Sequence, residues 1–151
     1  SFQFYRDNLP FGYPVIRKVT WNNGSHTELD VAPESGNILF VMGISFLMSQ
    51  DFNISVGDLT IGHSSATAPN DVITITDEKE FLAMCDSTIL AAFPSGTNQL
   101  QGSWCFKPPV QCTTDESFEI KEGNAITISA GTLIMVVHGW QMALSEYNEV
   151  T

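Results

Sequence analysis

The sequence predicts an all-β protein, a sandwich or barrel of short antiparallel strands. Apolar residues alternate with period two in the longest hydrophobic runs, and turn-forming residues recur every eight to twelve positions or so. Only 15 % of the residues are charged, and the polar ones are mainly Ser, Thr, Asn and Gln, of which the first three are weak helix formers. The 151 residues fit one domain with one core.

The longest apolar run, residues 38–48, is interpreted as a strand. It is shorter than the roughly 20 apolar residues of a membrane-spanning helix, and Gly43 and Ser45 would be poor choices inside a helix. From Ile38 onwards every second residue is apolar, so these residues share one face of the strand, and we expect that face to point into the core. The face consists of Ile38, Phe40, Met42, Ile44, Phe46 and Met48.

A second long run, residues 131–144, is also predicted to be a strand. Both of its faces begin apolar, as expected for a strand in the middle of its sheet with both sides covered. Gly139 marks a bend or a close approach of another backbone segment.

Shorter strands and turns account for most of the remaining chain. Asn22-Asn23-Gly24 predicts a hairpin between two strands, and Gly57-Asp58 predicts either a strand break or a tight hairpin. Pro108-Pro109 is expected to end a strand. The predicted short strands are residues 15–21, 27–31, 54–61, 72–76, 87–93, 99–106, 118–120 and 125–129.

One short helix is predicted over residues 77–86. Asp77 and Glu80 have the spacing of a capping box, in which Asp77 is the N-cap and Glu80 is the third helical residue. Phe81, Leu82 and Cys85 would give this helix an apolar face.

The chain divides into an N-terminal aromatic arm (1–14), a β-sandwich domain (15–144) and a polar C-terminal tail (145–151). The arm either packs on its own domain or inserts into a neighbouring molecule. The tail is expected to be loose or to reach a neighbour. The candidate partner-binding residues are the aromatic residues of the arm: Phe2, Phe4, Tyr5, Phe11 and Tyr13.

The charge excludes two classes of partner. The net charge is −11, and the six Lys and Arg residues are scattered along the chain. Binding to nucleic acid needs clustered cations that contact phosphates, and docking on anionic lipid needs them as well. We therefore expect neither a nucleic acid nor a membrane as partner.

The three cysteines, Cys85, Cys105 and Cys112, are expected to be reduced and buried. An odd number argues against a complete disulfide framework, and reduced thiols fit assembly in a reducing cytosol. The sequence is compatible with either a bridged or an unbridged Cys105 and Cys112.

No motif predicts catalysis, a cofactor or a metal. The three histidines, His26, His63 and His138, are far apart in sequence and form no His-x-His pair. The chain has no G-x-S-x-G motif and no Gly-rich phosphate loop. Trp21, Trp104 and Trp140 are candidates for stacking on sugars, although their apolar neighbours favour packing in the core.

The order of turns and strands resembles that of small jelly-roll or β-sandwich virion proteins of tailed phages. The resemblance rests on two blocks of sequence. The first is residues 29–44, in which a turn precedes a long strand. The second is Phe106-Lys107-Pro108-Pro109-Val110, followed by residues 122–128 and by a last strand that ends Val137-His138-Gly139-Trp140. It implies a jelly-roll-like antiparallel sandwich and transfers no functional residue.

The resemblance also implies a function. The chain would be a non-enzymatic capsid decoration (cement) protein that binds and stabilises the shell. Its expected partners are itself, as a homotrimer, and a major capsid or other virion protein. It would be located in the virion after assembly in the host cytoplasm. A carbohydrate- or receptor-binding sandwich module is the alternative, and a sandwich enzyme of cupin or glycosidase type is a third hypothesis.

Overall fold

The computed structural model describes residues 12–64, 71–75 and 99–150. These residues form ten strands and one short helix, which confirms the all-β class. The strands are β1 (Tyr13–Asn22), β2 (Leu29–Val31), β3 (Asn37–Ser49), β4 (Asn53–Val56), β5 (Leu59–His63), β6 (Asp71–Ile75), β7 (Gln99–Cys112), β8 (Phe118–Glu122), β9 (Thr127–Ala130) and β10 (Thr132–Ala143), and the helix is α1 (Leu144–Val150).

Two four-stranded antiparallel sheets make up the sandwich. The A sheet has the order β1-β10-β3-β7, and the B sheet has the order β2-β8-β5-β6. Strands β4 and β9 pair separately. Without that pair, the eight remaining strands have the order of a jelly roll, so the predicted jelly-roll-like sandwich is confirmed.

The core lies between the two sheets. Trp21, Leu133 and Met135 reach it from the A sheet, and Ile61 and Ile120 reach it from the B sheet. Phe106 of β7 contacts Phe118 of β8, with their ring centroids 5.6 Å apart, and so joins the sheets. Residues that alternate along each strand supply this core, as period-two patterning requires.

The two long apolar runs are strands, as predicted. The face of β3 that was expected to point into the core does so only in the second half of the strand. Leu39 and Val41 are buried in the first half, whereas Ile44, Phe46 and Met48 are buried in the second. The pairing with β10 shifts between His138 and Gly139, so Met42 is an extra residue at a bulge. A one-residue bulge moves the following side chains to the opposite face, and Met42 is consequently exposed.

The prediction that Pro108-Pro109 ends a strand is wrong, because β7 continues to Cys112. Its register with β3 changes between Val41 and Gly43, so that several residues of β7 oppose Met42 alone. The prolines lie in this bulge, on a strand at the end of the A sheet order. Edge strands and bulges tolerate proline, since no ladder hydrogen bond is needed from its nitrogen.

The turn at Asn22 exists, but the two strands beside it are not paired with each other. The backbone N of Asn22 donates to the Ser25 carbonyl at 2.7 Å. The chain then crosses from β1 in the A sheet to β2 in the B sheet. Gly57-Asp58 acts similarly: it separates β4, which pairs with β9, from β5, which pairs with β6 and β8.

Helix α1 lies in the segment that the sequence predicted to be a tail that is loose or reaches a neighbour. The predicted helix over residues 77–86, the predicted strand over residues 87–93 and Cys85 all lie outside the described residues. Strand β1 starts at Tyr13, two residues before the predicted start of the sandwich domain at residue 15.

Candidate interaction surface

Of the five candidate partner-binding residues, only Tyr13 lies in the described part of the chain. Its side chain is buried in the core cluster, and it pairs with Gln141 of β10. Tyr13 therefore contributes to the packing of its own domain. Phe2, Phe4, Tyr5 and Phe11 lie outside the described residues.

The outer face of the A sheet carries two of the four exposed large hydrophobic residues of the described chain, Ile16 and Met42. We call it the outer A face. The register places Ile16 beside His138, and Lys18 beside Val136 and Ser45. Ile16 is 59 % exposed and Met42 is 48 % exposed. The half-buried apolar residues around them are Phe40, Leu47, Ile134, Val136 and Trp140.

Helix α1 covers one end of this face. Tyr147 makes an edge-to-face contact with Phe40 at 5.4 Å between ring centroids. At the same end, Ile38 and Met142 are opposite each other and both are buried. The rest of the face, from Ile16 along the strands to Leu47, has no helix over it among the described elements.

A polar pair lies near the middle of the outer A face. The Nε2 of His138 is 2.8 Å from the Oγ of Ser45, close enough for a hydrogen bond. These residues lie diagonally across the two central strands, β10 and β3. Each therefore has a hydrogen-bond partner within the face itself.

Charge is distributed unevenly between the two sheets. None of the 17 acidic residues lies in β1, β3, β7 or β10, whose charged side chains are Arg17, Lys18 and Lys107. The chain has a net charge of −11, and its acidic residues all lie outside these four strands. The strands of the outer A face thus carry no negative charge, and apolar side chains share the face with Lys18, Ser45 and His138.

The B sheet carries carboxylates on its outer side. Asp30 of β2 is opposite Glu119 of β8, and Lys121 Nζ lies 3.6 Å from Glu119 Oε1. Burial raises the pKa of Glu119, Lys121 lowers it, and the adjacent Asp30 raises it, so that the pKa lies above its ordinary value overall. Two carboxylates side by side repel each other when both are ionised.

A cleft of about 540 Å³ with an acidic lining opens at one end of the sandwich, where Asp30, Glu34, Asp115 and Glu116 meet. The backbone N and the hydroxyl of Thr113 donate to Glu116 Oε1 at 2.7 and 2.6 Å. These hydrogen bonds, with a smaller contribution from nearby His63, hold the pKa of Glu116 below its ordinary value. Glu116 is thereby tied into its loop, which gives this carboxylate a structural role.

The three histidines have three different partners. His26 Nε2 is 2.7 Å from Glu122 Oε1, and His63 Nε2 is 3.5 Å from Glu116 Oε2. His138 bonds Ser45 on the outer A face. Within residues 12–64, 71–75 and 99–150, no three His, Cys, Asp or Glu side chains converge as metal ligands would.

Two expectations about cysteine and tryptophan need correction. Cys105 and Cys112 are both free, but Cys105 is exposed, whereas Cys112 is buried and burial raises its pKa to about 12. Trp21 is fully buried as expected, whereas Trp104 is 43 % exposed. Both exposed residues lie in β7, which ends the A sheet order and so has one open side among the described strands.

Comparison with known proteins identifies no family for the chain. No family model matches it, and no curated protein sequence matches it. One similar solved structure is a protein of the acidic stable capsid of Helicobacter pylori bacteriophage KHP30. It has a TM-score of 0.45 and 13 % identity, and the match covers 86 % of this chain and 89 % of that chain. A likeness at this level establishes neither function nor partner.

None of the described helical residues belongs to a helix with the length and apolarity needed to cross a membrane.

The sequence contained a signal for the outer A face that alternation alone did not reveal. The four strands of the A sheet contain no acid, although acids are frequent elsewhere in the chain. This could be counted from the sequence only after the strands were assigned to sheets. The exposure of Met42 could not be predicted, because it depends on a bulge.

Proposed function

We propose that the chain is a non-enzymatic structural protein of a tailed-phage virion, and more specifically a capsid decoration protein that binds and stabilises the shell. It acts through surface contacts, without a cofactor, and it is incorporated into the particle in the host cytoplasm. Its partners are further copies of itself and a major capsid or other virion protein.

The observation that carries this proposal is the outer A face. A soluble protein rarely leaves a contiguous apolar patch open unless the patch binds something. Here Ile16 and Met42 are about half exposed or more, and half-buried apolar side chains surround them. This surface is broad and follows a sheet, which suits a protein partner better than a small ligand.

The fold is compatible with the proposal without deciding it. Jelly rolls occur in viral capsid proteins, lectins and cupins, and a fold alone does not assign a function. The turn and strand order that resembles tailed-phage virion proteins adds to the case. That resemblance implies a homotrimer, and the native mass of the assembly tests this number.

Deletion of the gene from the phage that encodes the chain tests the proposal. Particles without the protein should assemble and should lose their DNA at a lower temperature than wild-type particles. Purified protein added back should co-sediment with the deficient particles up to a fixed copy number and restore heat resistance. Wild-type particles, whose sites are filled, are the control and should bind no more. Absence of the protein from purified virions would refute the proposal.

The exposure of Trp104 favours a second candidate, a carbohydrate- or receptor-binding module. An indole that is 43 % exposed on an edge strand can stack on a sugar ring. A glycan array would reveal such binding, and Trp104→Ala should abolish it. Ile16→Ala, which changes another exposed apolar residue on β1, is the control and should leave glycan binding unchanged.

A further inference from the structure

We propose that the outer A face binds the same face of a second copy of this chain in a two-fold pair. This inference rests on the self-association in the proposed function, names its surface, and replaces the homotrimer that the resemblance implies with a pair. The pair would bring together the exposed Ile16 and Met42 and the half-buried apolar residues of β1, β10 and β3 from both copies, with Val136 among them.

Charge favours a second copy as the occupant of this face. Two molecules that each carry a net charge of −11 repel each other in most orientations. The four A-sheet strands contain no acid, whereas the outer side of the B sheet carries Asp30 and Glu119. Contact through the outer A faces keeps the carboxylates of the two B sheets on opposite outer sides of the pair.

The burial of the polar groups on this face costs little. His138 and Ser45 already bond each other at 2.8 Å, so both keep a partner when water leaves. Lys18 lies on β1, the edge of the sheet order, where its long side chain can reach the solvent at the rim. The four A-sheet strands bring no acid into the contact, and the described acids near the face lie at its margin, Glu146 in α1 and Glu34 in the cleft beside Ile16.

The area suits two copies better than three. Four strands spaced about 4.8 Å apart, with about eight free residues at 3.3 Å each, give roughly 500 Å² per copy. Two such faces bury about 1,000 Å², which is the lower limit for a specific interface. A two-fold contact uses the same patch on both copies, whereas a cyclic trimer needs two different patches on each copy. The outer A face is a single patch, which suits the two-fold contact. Helix α1 forms a step at one end of the face, so the two-fold axis of the pair has to run across the strands, which places the two helices at opposite ends.

The test is the native mass of the purified chain and of two matched variants. Ile16→Glu introduces an acid into the outer A face at a residue that is 59 % exposed, and Val56→Glu introduces one outside that face at a residue that is 61 % exposed. Because neither side chain is in the core, both variants should fold, which far-ultraviolet circular dichroism verifies.

The wild-type chain and Val56→Glu should have about twice the 16.6 kDa chain mass in sedimentation equilibrium at micromolar concentration. Ile16→Glu should sediment as a monomer, with the dissociation constant raised on the order of a hundredfold or more, since the pair would have to bury an unpaired carboxylate. Oxidation of Met42 by peroxide, followed by peptide mass spectrometry, should be several-fold slower in the pair than in Ile16→Glu.

Three outcomes would overturn the pairing: a monomer at every concentration, a trimer, or a dimer that Ile16→Glu leaves intact with Met42 oxidised at an unchanged rate. A trimer or an insensitive dimer that still co-sediments with deficient particles would refute only the pairing. Absence of the protein from virions would instead refute the proposed function.

Discussion

Trp21 and Trp104 differ in what their removal should cost. Trp21 is fully buried, and its Nε1 donates to the Thr27 carbonyl at 2.7 Å. Trp21→Ala should lower the free energy of unfolding by about 3–5 kcal/mol, through the cavity and the lost hydrogen bond. Trp104→Ala, at a side chain that is 43 % exposed, should cost less than about 1.5 kcal/mol. Urea denaturation measures both, and equal losses would contradict the assigned core.

Glu116 should make stability depend on pH in the acid range. Hydrogen bonds from Thr113 hold its pKa below the ordinary value, so the ionised form stabilises the fold above the unfolded pKa. This contribution is lost as the pH falls through the lower folded pKa. Glu116→Gln should cost up to about 1 kcal/mol at pH 7, since the group is partly exposed. The wild-type and variant curves should converge at low pH, and a constant difference would contradict this explanation.

At the level of elements, the bulge at Met42 and Gly43 depends on the close approach of two backbones. A Cβ at Gly43 would collide with the Trp104 carbonyl and press on Cys105 Cα. Gly43→Ala should therefore force β7 away from β3 and cost about 2 kcal/mol or more. Gly24→Ala is the control, because its Cβ would meet only Asn22 Oδ1 at 3.5 Å. Thermal unfolding compares them, and equal melting temperatures would contradict the tight contact.

Helix α1 should protect the end of the A sheet that it covers. Tyr147 contacts Phe40, and Ile38 and Met142 are buried at the same end. Tyr147→Ala should lower the free energy of unfolding by about 1–3 kcal/mol, through lost apolar burial and the aromatic contact. Ser145→Ala, at an exposed residue of the same helix, is the control and should change stability by less than about 0.5 kcal/mol.

The local sequence predicted which segments form strands better than it predicted which strands pair with each other. Alternation identified β3 and β10 because period two is a property of the strand itself. It could not show that β1 and β2 belong to different sheets, since a tight turn at Asn22 is compatible with either arrangement. Pro108-Pro109 appeared to end β7 because tolerance of proline depends on the strand being at an edge. The outer A face was not predicted either, because it forms only when four strands that are distant in sequence lie side by side.

At the level of the whole molecule, the charge distribution predicts a stability maximum at mildly acidic pH. The net charge of −11 makes the folded chain repel itself near neutrality. Burial and Asp30 raise the pKa of Glu119, although Lys121 opposes them. The ionised form of Glu119 at pH 7 therefore lowers the stability of the fold. A carboxyl with a raised folded pKa binds its proton more tightly in the folded state. Stability therefore increases as the pH falls through that pKa.

The melting temperature should accordingly rise by roughly 2–4 °C between pH 7 and pH 5, the shift that about 1 kcal/mol produces in a domain of this size. It should fall again at lower pH, when carboxylates with lowered pKa values such as Glu116 become protonated. Glu119→Gln should raise the melting temperature at pH 7, because the amide cannot ionise. It should also reduce the rise in melting temperature on acidification, because the variant has no carboxylate to protonate at this position. Added salt at pH 7 should raise the wild-type value by screening the carboxylates. A melting temperature that falls steadily from pH 7 to pH 5 would show that repulsion among the carboxylates does not limit the fold.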